Sequence, residues 1–232
     1  MPRQPLQRTT VSAQKVLEAL SQAYVDYFHA SPNRTALPIL LAQSAGETGW
    51  WGSMWNNNIG NYKAIAGGNT DWTYLKCWEM VRSVPAHWRN DPRITIEEAL
   101  ASDGRHKVWF GPDHPACCFM SFPTLADGAA RYLQRLIDRF SHPSDRGKGD
   151  AWYWAVQGNI PAFTAALHSH GYFTADPAHY AKLTTSCHKR ILGMNLDWGK
   201  CATWDPVEPE PMKIIHPHFY DTPGESEPDD QS

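Results

Sequence analysis

No run in the 232-residue chain approaches the about 18 unbroken apolar residues that a membrane-spanning helix needs; the longest, 37–45, is interrupted by Gln43 and Ser44. The start, MPRQPLQRTT, is polar and lacks the apolar h-region of a secretory signal, so export is expected to proceed without a cleaved leader. Net charge is only −3, where a nucleic-acid binder would be clearly basic. There is no CxxC pair, no HExxH motif and no GxSxG elbow. The tight pairs His168-x-His170 and His216-x-His218 have no carboxylate companion nearby, so neither a metal nor a cofactor is expected. The five cysteines (Cys77, Cys117, Cys118, Cys187, Cys201) are odd in number and leave at least one thiol unpaired. On spacing, Cys187–Cys201 is the disulfide easiest to imagine. No internal repeat is visible.

What is present is enough for a packed core: 42% of residues are hydrophobic. Charge is unevenly spread. Residues 205–232 carry eight acids against the single base Lys213, together with six of the 18 prolines. That segment reads as an acidic, Pro-rich, partly disordered tail. The body, 1–204, is left mildly basic and suits an anionic polymer.

Helical periodicity runs over 12–30, where Val16, Leu17, Leu20, Tyr24 and Phe28 share one face. A second helix is predicted from Thr35 or Ala36, with Pro38 in its first turn, to Thr48-Gly49; it is apolar nearly all round and so buried. Thr124 should cap a long helix through Phe140, and Asp176-Pro177 should open another ending at Gly193. Shorter helices fit 150–157 and 161–169. Thr95-x-x-Glu98 reads as a capping box opening a short helix to Ser102. Residues 50–93 differ, with six tryptophans, four glycines and one strand-like run, 72–81, read as a hairpin arm. The expected architecture is mainly α, a helical lobe with a small irregular or β lobe of about 50–93 inserted after the second helix.

One carboxyl stands out. Glu47 ends the run Ile39-Leu40-Leu41-Ala42-Gln43-Ser44-Ala45-Gly46 and precedes Gly49-Trp50-Trp51-Gly52. A helix C-terminus repels negative charge and apolar neighbours disfavour ionisation. Both raise a carboxyl pKa, as a general acid near neutral pH requires. A lone glutamate is ordinarily solvated or ion-paired, but wide aromatic faces beside it fit a sugar-binding cleft. Glycoside hydrolysis needs a second acidic group or a substrate group in its place. Asp71, Glu79 and Asp91 are the candidates in the irregular lobe, with Glu79 placed to enter a cleft from a strand.

Four blocks in order resemble the glucosaminidase family of peptidoglycan hydrolases, glycoside hydrolase family 73. Ala42-Gln43-Ser44-Ala45-Gly46-Glu47-Thr48-Gly49-Trp50 resembles its AQ-x-x-x-ETGWG signature. Asn57-Asn58-Ile59-Gly60-Asn61-Tyr62-Lys63 is similar to its NNLFGIK stretch. The stretch from Phe119 to Gly128, leading into Arg131-Tyr132-Leu133, resembles its F-x-x-Y-x-S-x-x-D block. Gly171-Tyr172-Phe173-Thr174-Ala175-Asp176-Pro177, then Tyr180-Ala181-Lys182-Leu183, resembles GYATDP-x-YA-x-KL. The resemblance implies an α+β lysozyme-like fold with a catalytic cleft between the lobes. It implies Glu47 as general acid and, through Trp78-Glu79-Met80-Val81, Glu79 as second carboxylate. Trp50, Trp51, Asn57, Asn58, Tyr62, Trp78, Tyr172 and Tyr180 become the substrate-binding candidates. The sequence departs from the pattern at the extra Trp51, at Gly60-Asn61 where the family has Phe-Gly, and in two extra residues between Tyr172 and Tyr180.

The implied activity is endo-β-N-acetylglucosaminidase action on peptidoglycan strands by a monomer. A muramidase or lytic transglycosylase on the same polymer, and an inactive glycan-binding module, are the alternatives. The expected setting is the periplasm of a target bacterium, reached as an antibacterial effector such as a type VI toxin, with an immunity protein blocking the cleft in the producer; a phage-type lysin is the other route.

Overall fold

Local signals set most of the helices. The Ser12 side chain accepts the Lys15 backbone N–H and opens α1 (Ala13–Phe28), which buries Val16, Leu17 and Leu20. α2 (Ala36–Thr48) is buried at every position from Ala36 to Ala45, and ends where Gly49 turns left-handed at φ 55°. Residues 2–65, 68–97, 101–141, 149–173 and 175–199 are described by the computed structural model. Downstream, Thr124 and Asp127 form a full capping box on α4 (Leu125–Phe140). Asp150, Asn159 and Asp176 cap α5 (Ala151–Val156), α6 (Ile160–Ser169) and α7 (Pro177–Leu192) through their side chains.

In chain order the strands and helices are β1 (Arg8–Thr9), α1, α2, β2 (Met54–Trp55), β3 (Trp72–Tyr74), β4 (Cys77–Val81), α3 (Ala86–Arg89), β5 (Ile94–Ile96), β6 (His106–Phe110), β7 (Cys118–Met120), α4 (Leu125–Phe140), α5 (Ala151–Val156), α6 (Ile160–Ser169) and α7 (Pro177–Leu192). A short 3-10 turn, Pro115–Cys117, leads into β7. α1 packs on α4, and α2 on α7, with α5 and α6 closing the helical body. Its core is built on Leu17, Leu20, Leu37, Ile39, Leu40, Leu41, Tyr132, Leu133 and Phe163. Burying each such side chain is worth roughly 1.5–3 kcal/mol before chain entropy is counted. The mainly helical α+β architecture expected from the sequence is the one observed.

The non-helical part differs from expectation in detail. The run 72–81 is not one hairpin arm. It breaks at Leu75-Lys76 into two strands of different sheets: β3 pairs antiparallel with β7, while β4 joins β6 and β5 in the order β4-β6-β5. Thr95 caps no helix, because it lies in β5 opposite Trp109 of β6; Glu98, its box partner, lies outside the described residues. β-branched Ile94-Thr95-Ile96 fits a pleated pair better than a first helical turn. The lobe therefore runs past residue 93 to β7, with a small core of its own around Val84, Val108, Phe110 and Cys117. Cys201 and the acidic tail lie outside the described residues.

The lobes meet at the loop after β2. Asn56, Asn57 and Asn61 are held at φ 47°, 57° and 50°, where Asn is tolerated. Gly128 of α4 abuts this loop so closely that an added Cβ would overlap the Asn57 carbonyl oxygen. Gly128→Ala is therefore expected to cost about 1–3 kcal/mol in urea unfolding, although alanine is the better helix former.

Candidate active site

Glu47 occupies the last turn of α2, at the negative end of the helix dipole. Its side chain is half-buried, and desolvation pushes its carboxyl up from the ordinary 4.5 to about 7. Two hydrogen bonds pull the other way, one donated by the Tyr180 hydroxyl to Oε1 at 2.5 Å and one from the Asn61 side chain. Burial outweighs both, and neither partner is a cation.

Tyr180 is held in turn by a directional network beginning at Gln43, one helical turn before Glu47 and 1% exposed. Tyr132 donates its hydroxyl to Gln43 Oε1 at 2.5 Å. The Gln43 amide then gives its two hydrogens to the Tyr172 and Tyr180 hydroxyls, at 2.6 and 3.0 Å. Each tyrosine is left with its own hydrogen to donate: Tyr172 to the Gly60 carbonyl at 2.7 Å and Tyr180 to Glu47. Phe173, half-buried, stacks on the Tyr180 ring at 3.9 Å and holds it from the other side. Asn61 is exposed, and Tyr172 and Phe173 are half-buried beside this network.

The four sequence blocks converge here. Ser44 donates to the Ile59 carbonyl at 2.8 Å, tying α2 to the Asn-rich loop. Asn58 donates to the Tyr62 and Met120 carbonyls, and accepts the Tyr62 N–H at 2.9 Å. Asn57 donates to the Phe122 and Pro123 carbonyls. Tyr62 is buried, stacked on Tyr132 with its hydroxyl on the Tyr132 carbonyl, and the Arg135 guanidinium lies 5.1 Å from its ring centre.

The candidate sugar-binding residues therefore separate. Tyr172 and Tyr180 stand at the acid. Asn57, Asn58 and Tyr62 belong to the neighbouring loop, and their side-chain N–H and O–H groups donate to backbone carbonyls. Trp51 departs from its expected role: it is 2% exposed, with its indole N–H on Ser44 Oγ at 3.0 Å, and is a core residue. Trp50 is half-buried beneath Arg190, whose guanidinium lies 4.0 Å from its ring centre. Trp78 is 49% exposed on β4, paired with Trp109 on the outer sheet, with Lys107 over both rings.

Glu79 is exposed on β4, opposite Val108. Its charge is felt by Cys77 and His114, whereas the groups acting on Glu47 are Tyr180 and Asn61. Asp91 is engaged by Arg93, at 2.6 and 2.9 Å, and is held well below the usual carboxylate range. Asp71 accepts from Gln4 at 2.8 Å. The expected cleft does not coincide with either of two cavities in the surface. One is lined by Leu17, Val25, Pro32 and Trp198, the other by Gln4, Asn56, Asp71 and Ser121. Among the described residues, no three His, Cys, Asp or Glu side chains converge as a metal site.

Gln43, Tyr132, Asn61 and Phe173 were not among the predicted site residues. Gln43 had a visible signal, an amide inside an otherwise apolar helix; the others depend on contacts between distant segments.

No family model matches the chain, and no curated protein sequence matches it significantly. Two solved structures are similar. One is a C-terminally truncated glycoside hydrolase domain from Salmonella typhimurium FlgJ, 18% identical, aligned over 79% of this chain and 99% of that one with a TM-score of 0.43. The other is the catalytic domain of the autolysin Auto from Listeria monocytogenes, 16% identical over 80% and 88% with a TM-score of 0.42. At this distance no residue's role is transferred from either.

Proposed function

We propose that the chain is a glycoside hydrolase that cuts the β-1,4 glycan strand of peptidoglycan, acting as an endo-β-N-acetylglucosaminidase with a lysozyme-like arrangement of lobes and Glu47 as its general acid. The observation that carries this reading is the state of Glu47: a carboxyl with its pKa raised to about 7 by burial, held by neutral donors only and bordered by aromatic rings. It is supported by the meeting of the four family-like blocks around that one group. A carboxyl kept partly protonated at neutral pH can deliver its proton to a glycosidic oxygen as the C1–O bond breaks through an oxocarbenium-like state. The proton then resides on the leaving sugar's hydroxyl, and Glu47 is left as an anion that Tyr180 and Asn61 stabilise. Those same donors, which oppose the raised pKa in the resting site, favour the product of proton transfer.

The second function, attack at C1, needs water activated by a carboxylate or the substrate's own acetamido oxygen. Glu79 is the protein's candidate for the first. Glu79 is exposed on β4, and the second route needs no further carboxylate from the protein. Glu79→Gln is then a mild change and Glu47→Gln a severe one.

Digestion of purified peptidoglycan, borohydride reduction and mass spectrometry test the reading. Reduced N-acetylglucosamine ends are expected. Reduced N-acetylmuramic ends would make the enzyme a muramidase, anhydro ends a transglycosylase, and no new ends at all would leave only a glycan-binding module.

A further inference from the structure

Four cysteines fall among the described residues, and two of them meet. Cys77 at the start of β4 and Cys117 at the end of the 3-10 turn place their Sγ atoms 3.4 Å apart, although they are 40 positions apart in the chain. The segments that bear them belong to different sheets. β4 is an edge of the three-stranded sheet, whereas Cys117 leads directly into β7, the partner of β3. Each sulfur is held in place. Cys77 Sγ donates to the Ala116 carbonyl at 3.1 Å, and Cys117 Sγ donates to the Phe110 carbonyl at 3.3 Å. Lys63 Nζ lies 3.9 Å from Cys77 Sγ and also donates to the Ala116 carbonyl. Cys117 is fully buried, while Cys77 is partly exposed, so a reagent reaches the pair from the Cys77 side.

The other thiols among the described residues are not competitors. Cys118 opens β7 directly after the 3-10 turn, and its Sγ lies by the His114 carbonyl. Cys187 is buried on α7, in the helical body.

We propose that Cys77 and Cys117 are an oxidisable pair that closes into a disulfide joining β4 to the segment entering β7 when the protein meets a small-molecule or protein disulfide as oxidant. The exchange balances in two steps. The Cys77 thiolate attacks one sulfur of the oxidant, forming a mixed disulfide and releasing one thiol. The Cys117 thiolate then attacks the Cys77 sulfur and displaces the second thiol. Two S–H bonds are lost and one S–S bond is made, and the oxidant leaves as two thiols carrying both protons and both electrons. Burial, opposed by Lys63, pushes the Cys77 thiol up to about 12, so closure is slow at neutral pH and accelerates as pH rises.

The bond fixes the strand that bears Glu79 to the rest of the lobe, but the inference does not depend on any role for Glu79 or Glu47. Its readouts are mass and melting. The full chain is equilibrated with oxidised glutathione, free thiols are alkylated, and the unreduced digest is mapped. A Cys77–Cys117 linked peptide two mass units below the sum of its parts is expected. The melting temperature of the oxidised protein should fall on the order of 10 °C on adding reductant, and this response should be absent in Cys77→Ser. Full alkylation of both cysteines after oxidation, a linked peptide joining other cysteines, a stable glutathione adduct in place of the bond, or a reductant response retained in Cys77→Ser would each overturn the proposal. The mapping uses the unaltered chain, so a poorly folding variant does not obscure it.

Discussion

Glu47→Gln is expected to reduce turnover on purified peptidoglycan by about 10²–10⁴-fold while leaving the protein folded, because the amide has no proton of suitable acidity for the leaving oxygen. It can still accept from Tyr180, so the network behind it stays in place. The pH profile supplies the independent check. The active form is the neutral acid, so wild-type kcat/KM should decline above about 7 as Glu47 ionises. The residual activity of Glu47→Gln should lack that decline. Stability should move in a matching sense. Glu47 has a folded pKa raised above its ordinary 4.5, so its contribution is fully present below 4.5 and is lost as pH rises through about 7. The variant has no such group, and its melting temperature should gain on wild type across that window. Directed to the periplasm of a bacterial host, the wild type should lyse cells and the variant should not. Retention of more than about a tenth of wild-type activity by Glu47→Gln would remove the general acid from the mechanism.

The helical body was legible because its determinants are local. Thr124 and Asp176 each announce a helix start, and Gly49 announces an end. Glu47 was legible for a related reason: a charge closing an apolar helix conflicts with both burial and the helix dipole, and such conflicts mark sites. The β lobe was not legible to the same degree. Trp72 pairs with Met120 and Cys77 with Phe110, and no local pattern specifies partners so distant. A run that reads as one strand was divided between two sheets because each half found a different partner. Composition gave the excess of tryptophan but not its division of labour. Trp51 turns into the core at a left-handed backbone position, φ 58°, while Trp78 stays outside on the sheet. The order of donors and acceptors behind Glu47 was beyond sequence reasoning, since it joins α2, α4, α7 and the loop at Tyr172.

That order gives Gln43 a larger role than its place in an apolar run implies. Gln43→Leu replaces an amide by a side chain of similar size that matches its neighbours Leu40 and Leu41, so a purely apolar view of α2 predicts a neutral or stabilising change. The opposite is expected, a loss of about 3 kcal/mol in urea unfolding, because the Tyr132, Tyr172 and Tyr180 hydroxyls each lose a partner inside the core. Catalysis should suffer in a specific way. With its acceptor site on Tyr180 unfilled, the hydroxyl is no longer fixed toward Glu47, and the anion left after proton transfer loses part of its support. Removing a bond that lowers the Glu47 pKa moves the alkaline decline of kcat/KM to higher pH, while substrate binding, which Gln43 does not touch, should change little in KM. Gln43→Glu separates positioning from packing. It keeps the size and an acceptor for Tyr132, but offers no N–H to the other two tyrosines. Tyr180 would then turn its hydrogen toward residue 43 and away from Glu47, and the added carboxyl would raise the Glu47 pKa further. An upward shift of the decline in both variants, larger in Gln43→Glu, is the signature of a residue that aims the donor at the acid. An unshifted decline in both, with only lower stability, would reduce Gln43 to a structural amide.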